Sequence, residues 1–339
     1  MSSDATSANG TLKAKPESGG SGGRSFWLRM AMDRQQLLIF LILALVVIMT
    51  ILEPTTFPRP ANAAVVLLDT AQTAILACGM MVLMISGMFD LSIGGILAFS
   101  GIMAGLSVKM LGFPPIPAFL VGCVWGALLG VINGVLVTRF KINALIATLA
   151  TVSIYRGGLQ LVSGAGVTNI GNGFTVFGQT QILGIYSPFW FMAVIVLIFG
   201  FLVGRTRFFR QAYYIGGNAR AAKLSGINVD RTIFIFFVIM GFLSGLAGAL
   251  LASRLNTAVV LAGQGVELKV ITAVVLGGAS LSGGVGTIFG AFLGVLFMAL
   301  LQNAMIIAGI NPFWQLIVVG FVLLISVGLD QFARTKTRV

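Results

Sequence analysis

The chain has no histidine and only nine acidic residues among its 339. The first absence removes the commonest general base and the commonest metal ligand. The second leaves few carboxylates from which to build an acid–base pair or a cation site. Charged residues of both signs make up 9% of the chain, against roughly 25% in soluble domains. Cysteine is nearly absent: Cys78 and Cys123 sit inside apolar runs, so no disulfide framework follows. No Gly-x-x-x-x-Gly-Lys-[Ser/Thr] run occurs, which excludes the usual phosphate-cradling loop of a nucleotide hydrolase. Together these gaps argue against an enzyme and against a pump that hydrolyses its own ATP. No metal site and no cofactor bound by this chain are expected.

What is present is apolar: 58% hydrophobic residues and 44 glycines. So much apolar surface is intelligible only in a bilayer, and abundant glycine suits close helix packing there. Ten apolar runs are candidate spans: 37–52, 63–87, 91–111, 118–137, 144–162, 188–203, 233–252, 270–278, 287–307 and 313–329. A span needs about 20 residues, so 270–278 is short. The run Gly277-Gly278-Ala279-Ser280-Leu281-Ser282-Gly283-Gly284-Val285-Gly286 after it cannot hold a lipid-facing helix, and a broken helix or half-span is expected. The expected organisation is a disordered tail at 1–35, a membrane domain at 36–332 with a polar loop at 205–231, and a C-terminal tail at 333–339. Ala61-Asn62-Ala63 has the look of a signal cleavage site, but it lies far past the apolar stretch and behind prolines.

The net charge of +12 is topogenic. With the N-terminus inside and ten crossings, sixteen of the 21 basic residues fall in inside pieces: the tail, the Arg139–Lys141 turn, 205–231 and the C-terminus. The loop at 163–187 carries no charge and falls outside. Both termini are therefore expected in the cytosol, and nucleic acid is excluded as a partner.

Small residues recur every fourth position at Gly122, Gly126, Gly130 and Gly134, and again at Ser282, Gly286, Gly290 and Gly294. Such a stripe permits close approach of a second helix, as plain packing or as a sliding surface. Residues 87–94 and 277–286 each interrupt two apolar runs, with Asp90 or Ser282 as helix-restarting N-caps. Paired interruptions suggest an internal pseudo-repeat and point toward a solute path. Polar residues in or beside the runs are the candidate lining: Asp90, Ser92, Asn133, Thr148, Thr151, Glu267, Thr272 and Asn303. Hydroxyls and amides suit a neutral polar solute, although interhelical hydrogen bonding explains the same residues. In the polar loop, 216–228 forms a short helix with Asn218 as N-cap and Gly226 as stop, either a docking element or an ordinary linker.

This loop resembles that of the ribose/xylose/arabinose-type permeases of bacterial ABC importers. Asp90-Leu91-Ser92-Ile93-Gly94, Ala147-Thr148-Leu149-Ala150-Thr151 with Arg156-Gly157, and Glu267-Leu268 followed by Ala273-Val274-Val275-Leu276-Gly277-Gly278 carry the same resemblance, which runs over about residues 36–332. The resemblance implies an all-α polytopic membrane protein of about ten helices with the cobalamin-importer-like fold, in a bacterial inner membrane. It implies a second permease copy (identical or a sister), a periplasmic solute-binding protein and a cytosolic ABC ATPase that uses the ATP. Gly217, Asn218, Ala221, Ala222, Leu224 and Gly226 would couple to that ATPase, and the solute would be a monosaccharide or related polyol. This chain departs from the family in having Gly87-Met88-Phe89 before Asp90, where many members have Gly-Gly-Ile, and Lys269 where many have an acid. The same superfamily serves nucleosides, branched-chain amino acids and a furanose signal. An ion-gradient transporter is the other alternative; its candidate carboxylates would be Asp69, Asp90 and Glu267, none with an evident mate.

Overall fold

A computed structural model describes residues 34–171 and 173–337. Nearly all of the expected tail at 1–35, and the last two residues, lie outside the described part. The described chain is helical: α1 (Arg34–Leu52), α2 (Pro60–Ile85), α3 (Ile93–Leu111), α4 (Pro115–Thr138), α5 (Ala144–Ser163), α6 (Val176–Gln179), α7 (Ser187–Arg205), α8 (Arg207–Leu224), α9 (Val229–Leu255), α10 (Val266–Leu276), α11 (Ile288–Ile307) and α12 (Pro312–Thr337). Eight of these are long and apolar enough to cross a membrane: α1 to α5, α7, α9 and α11. In hydrocarbon a helix satisfies every backbone group internally, which is why the apolar runs take this form. The chain is a multi-pass membrane protein. Of the ten expected runs, the other two lie in α10, which has only 11 residues, and in α12, whose apolar stretch is Phe313–Gly328. The C-terminal stretch expected as a tail continues α12 as far as Thr337.

Among the described residues, short strands occur only in connections. β1 (Gly166–Thr168) pairs antiparallel with β4 (Thr257–Val259), and β2 (Gln181–Ile182) pairs with β3 (Ile185–Tyr186). These pairs, with α6, sit at one end of the bundle, here the strand face. The opposite end carries α8, the polar helix.

Prolines set several helix starts. Pro60, Pro115 and Pro188 occupy the first turns of α2, α4 and α7, where the missing N–H has no intrahelical partner to lose. Chain stops are equally local: Gly112 ends α3 in the left-handed region, and Asn256 ends α9 there.

The stripe on α4, and Gly290 and Gly294 of the second one, make helix contacts within this one chain, whereas Ser282 and Gly286 lie in the break before α11 and not on a helix face. A Cβ on Gly126 would lie 2.5 Å from Gly245 Cα, and one on Gly130 would lie 3.0 Å from Gly241 Cα, so α4 and α9 touch backbone to backbone. A Cβ on Gly294 would lie 3.1 Å from Gly277 N, which seats α11 against the end of α10. Apolar side chains gain little by leaving lipid for protein, so this close van der Waals contact is what holds the helices together. Packing is therefore the role these helix-face glycines visibly serve.

Both breaks are present, but their helices restart later than expected. Ser92, not Asp90, is the N-cap of α3; Asp90 Oδ1 instead accepts from Ser92 N at 2.8 Å. Thr287, not Ser282, caps α11, its hydroxyl accepting from Gly290 N at 3.0 Å. Gly283, Gly284 and Gly286 all hold positive φ, which keeps the chain out of the helical region until Thr287.

Candidate functional site

The two breaks meet each other and α8. Ile85 O, ending α2, accepts from Gly284 N of the second break at 2.7 Å. Gly216 of α8 is wedged between them, and a Cβ there would lie 2.5 Å from Gly284 N. The Tyr213 hydroxyl, three residues earlier on α8, donates to Gly286 O at 2.8 Å. The first half of α8 is thus seated on both interruptions at once.

α8 then kinks. Asn218 leaves the helical region at φ −159° and ψ 98°, and its side chain accepts from Ala221 N at 3.0 Å. It caps a new helical turn inside the polar loop, as its sequence position predicts. Ala222 is buried beneath that turn, whereas Leu224 is 85% exposed and points away from the bundle. Gly226 stops the helix with φ +86°, and Ile227 N returns to Ala222 O at 3.1 Å. Gly217, Asn218 and Ala221 are exposed on the same projecting turn. Beside it lies a groove of about 790 Å³, lined by Gly87, Met88 and Phe89 of the first break, Lys141, Gly217 and Asp230. Lys141 Nζ and Asp230 Oδ2 pair across its mouth at 2.6 Å. Both side chains are well exposed, so that bridge contributes only about 0–1 kcal/mol.

The polar residues predicted from sequence form one cluster and four separate positions. Asp90, Ser92, Asn133 and Thr148 converge around the first break, all buried. Ser92 Oγ donates to Asp90 Oδ1 at 2.6 Å and accepts from Asn133 Nδ2 at 2.7 Å. Asn133 Nδ2 also lies 3.3 Å from Asp90 Oδ2. Asn133 Oδ1 accepts from the Tyr155 hydroxyl at 3.0 Å, and Thr148 Oγ1 accepts from Leu91 N at 3.1 Å. A buried carboxylate is costly unless hydrogen bonds meet it, and Asp90 accepts from Ser92 N, Ser92 Oγ and Asn133 Nδ2. Hydrogen bonds to a charged group contribute about 1.5–3 kcal/mol each, so the donors around Asp90 offset its burial.

Thr151 and Thr272 are buried and hydrogen-bond to backbone carbonyls within their own helices, Thr148 O and Leu268 O. Glu267 opens α10 beside Gly94, and its Oε2 is buried without a hydrogen-bond partner. Asn303 hydrogen-bonds to none of these. It makes a reciprocal amide pair with Asn62, at 2.7 and 3.1 Å, joining α11 to the start of α2.

Tyr155, Arg156, Asp69 and Lys269 stand out in the sequence as polar residues in or beside apolar runs, but three of their connections do not. Tyr155 closes the buried network from α5, 22 residues beyond Asn133. Arg156 donates to Val260 O at 2.9 Å and Ala262 O at 3.2 Å, holding the approach to α10. Lys269 Nζ sits 2.9 and 2.7 Å from the two carboxylate oxygens of Asp69, which therefore has a mate after all. The last pair joins residues 200 positions apart, and no local pattern could have announced it. Among the described residues no group of three or more His, Cys, Asp or Glu is placed to hold a metal.

Residues 62–327 match the family described as the permease component of branched-chain amino acid transport systems. The chain belongs to that family. This permease is 43% identical over 292 residues to the ribose import permease protein RbsC of Bacillus subtilis, covering 85% of this chain and 89% of the relative. It is 36% identical over 302 residues to the L-arabinose ABC transporter permease protein AraH of Azospirillum brasilense, covering 89% and 88%. It is 35% identical to the L-arabinose transport system permease protein AraH of Escherichia coli over 339 residues, 100% of this chain and 99% of the relative.

Proposed function

We propose that this permease is the membrane subunit of an ABC importer that carries a monosaccharide or related polyol across a bacterial inner membrane. The observation that carries the reading is the 43% identity to a ribose import permease over most of both chains. The α8 end fits its part in such a machine: a projecting polar turn, ending on an exposed leucine, rests on both breaks in the membrane helices. On this reading the α8 face is cytosolic, as are both termini. The ATPase subunit, which uses the ATP, docks on Gly217, Asn218, Ala221, Leu224 and Gly226, with Ala222 anchoring the turn from beneath. A periplasmic binding protein delivers solute to the strand face. Two permease copies work as a pair, each in the ten-crossing, cobalamin-importer-like arrangement.

The buried network of Asp90, Ser92, Asn133 and Thr148, with Thr151 and Thr272 nearby, braces the helix breaks. It gives the solute path its shape, with Glu267 nearer the path and Asn303 fixing its outer end. The functional test is uptake into proteoliposomes holding this permease, its ATPase and its binding protein. The proposal expects D-ribose or L-arabinose to accumulate only when ATP is supplied to the ATPase side. Accumulation driven by a proton or sodium gradient without ATP would replace it with a secondary transporter.

A further inference from the structure

α10 begins beside two other helices, with part of its first turn open. After β4 the chain turns inward, where Arg156, about two turns before the end of α5, holds Val260 O and Ala262 O. A Cβ on Gly263 would lie 3.2 Å from Leu97 Cδ2 and 3.1 Å from Gly94 O, at the first turn of α3. α10 therefore starts between α3 and α5, and its 11 residues span about 16 Å, half of a hydrocarbon core. One turn into it, Lys269 meets Asp69, nine residues inside the 26-residue span α2.

This pair is not enclosed by its own chain. The Asp69 side chain is 43% exposed and that of Lys269 14%. Around it Leu268 is 50% exposed, and Leu261 and Gln264 are also open. Lipid is a poor cover for this face. A charged group in hydrocarbon costs about 2.5–3.5 kcal/mol, and irregular backbone such as 260–265 persists at membrane depth only behind protein or water. The Lys269 ammonium has three protons and spends two on Asp69. One proton remains, beside carboxylate lone pairs that are also free to accept.

We propose that Asp69 and Lys269 form a water-exposed, solute-contacting stretch of the permeation path. A diol is the chemistry that fits: one hydroxyl donates to Asp69 while its neighbour accepts from Lys269. This rests on the importer reading above and adds to it the residues that select a polyhydroxylated, uncharged solute.

Two measurements on the assembled importer test it. Cys78 and Cys123 are both buried, so a single introduced cysteine reports with low background. The variant Leu268→Cys should react with a charged, membrane-impermeant thiol reagent. Leu197→Cys, at a 74% exposed site on α7, serves as the apolar-surface comparison and should react with a membrane-permeant maleimide instead. A Leu268→Cys that ignores the charged reagent, both without nucleotide and with the ATPase trapped, overturns the proposal.

The second measurement is the charge exchange D69K/K269D. K269Q should lower membrane abundance and the exchange should restore it, yet leave uptake of D-ribose and L-arabinose roughly tenfold down through KM, the size of one lost hydrogen bond. Full recovery of uptake by the exchange would show a purely structural bridge and overturn the assignment. Co-purification of the ATPase is scored separately, so failure of the importer reading is distinguishable from failure of this one.

Discussion

Asn133 is the residue on which the first break depends. It gives two protons to Ser92 and Asp90 and takes one from Tyr155, all in a buried place. Replacing it with leucine removes three buried hydrogen bonds, while Tyr155 keeps Leu129 O and Asp90 keeps Ser92 N and Oγ, so the loss is about 0.5–1.5 kcal/mol for each bond. Asn133→Leu should therefore unfold at clearly lower temperature in detergent; an unchanged transition would show that the network contributes little. Gly126 makes an equally sharp case through volume. Gly126→Leu forces α4 and α9 apart, whereas Gly200→Leu, with nothing within 4 Å of its Cβ position, should be tolerated. Comparison of monodisperse yield by size-exclusion chromatography checks both. Asp90 and Asn133 were legible in the sequence because polar groups stand out in apolar runs. Their partnership was not, since 43 residues separate them and only the packing of α4 on the break joins them. Lys269 was noticed as an oddity and Asp69 as a lone acid; that the two neutralise each other is a tertiary fact.

At the scale of elements, apolar run length predicted most spans to within a few residues, because hydrocarbon thickness fixes that length. The short run at 270–278 became α10, a helix of only 11 residues that ends at the glycine-rich break the sequence showed. The second helix restart was misplaced because Gly283, Gly284 and Gly286 hold positive φ and postpone it to Thr287, and the first because Asp90 accepts from Ser92 N ahead of the helix instead of capping it. The strand pairs went unforeseen: β1 and β4 are three residues each, too short for any alternation to register. The element that carries the functional claim is α8. Leu224→Glu changes only an exposed side chain beyond the kink, so the protein should insert normally and lose ATPase binding. Gly226→Arg should do the same by adding bulk and charge at a position that also demands positive φ. Gly216→Leu acts on the other half of the helix, where it would push α8 off both breaks. It should keep ATPase binding while uptake falls at least tenfold, and wild-type uptake by that variant would remove the mechanical link between α8 and the breaks.

For the whole molecule, the sequence already carried the class, since composition and basic-residue placement together demand a multi-pass membrane protein. It could not carry the assembly, because the surfaces that meet a partner look, in a single chain, like any other exposed face. The central claim is that this chain works only as part of an ABC importer. The most direct test is to isolate tagged permease from gently solubilised membranes and identify by mass what accompanies it. The account predicts an ABC ATPase subunit in the wild-type eluate, absent from the Leu224→Glu eluate at equal permease recovery. A permease that emerges alone and still moves solute in vesicles on an ion gradient would contradict it.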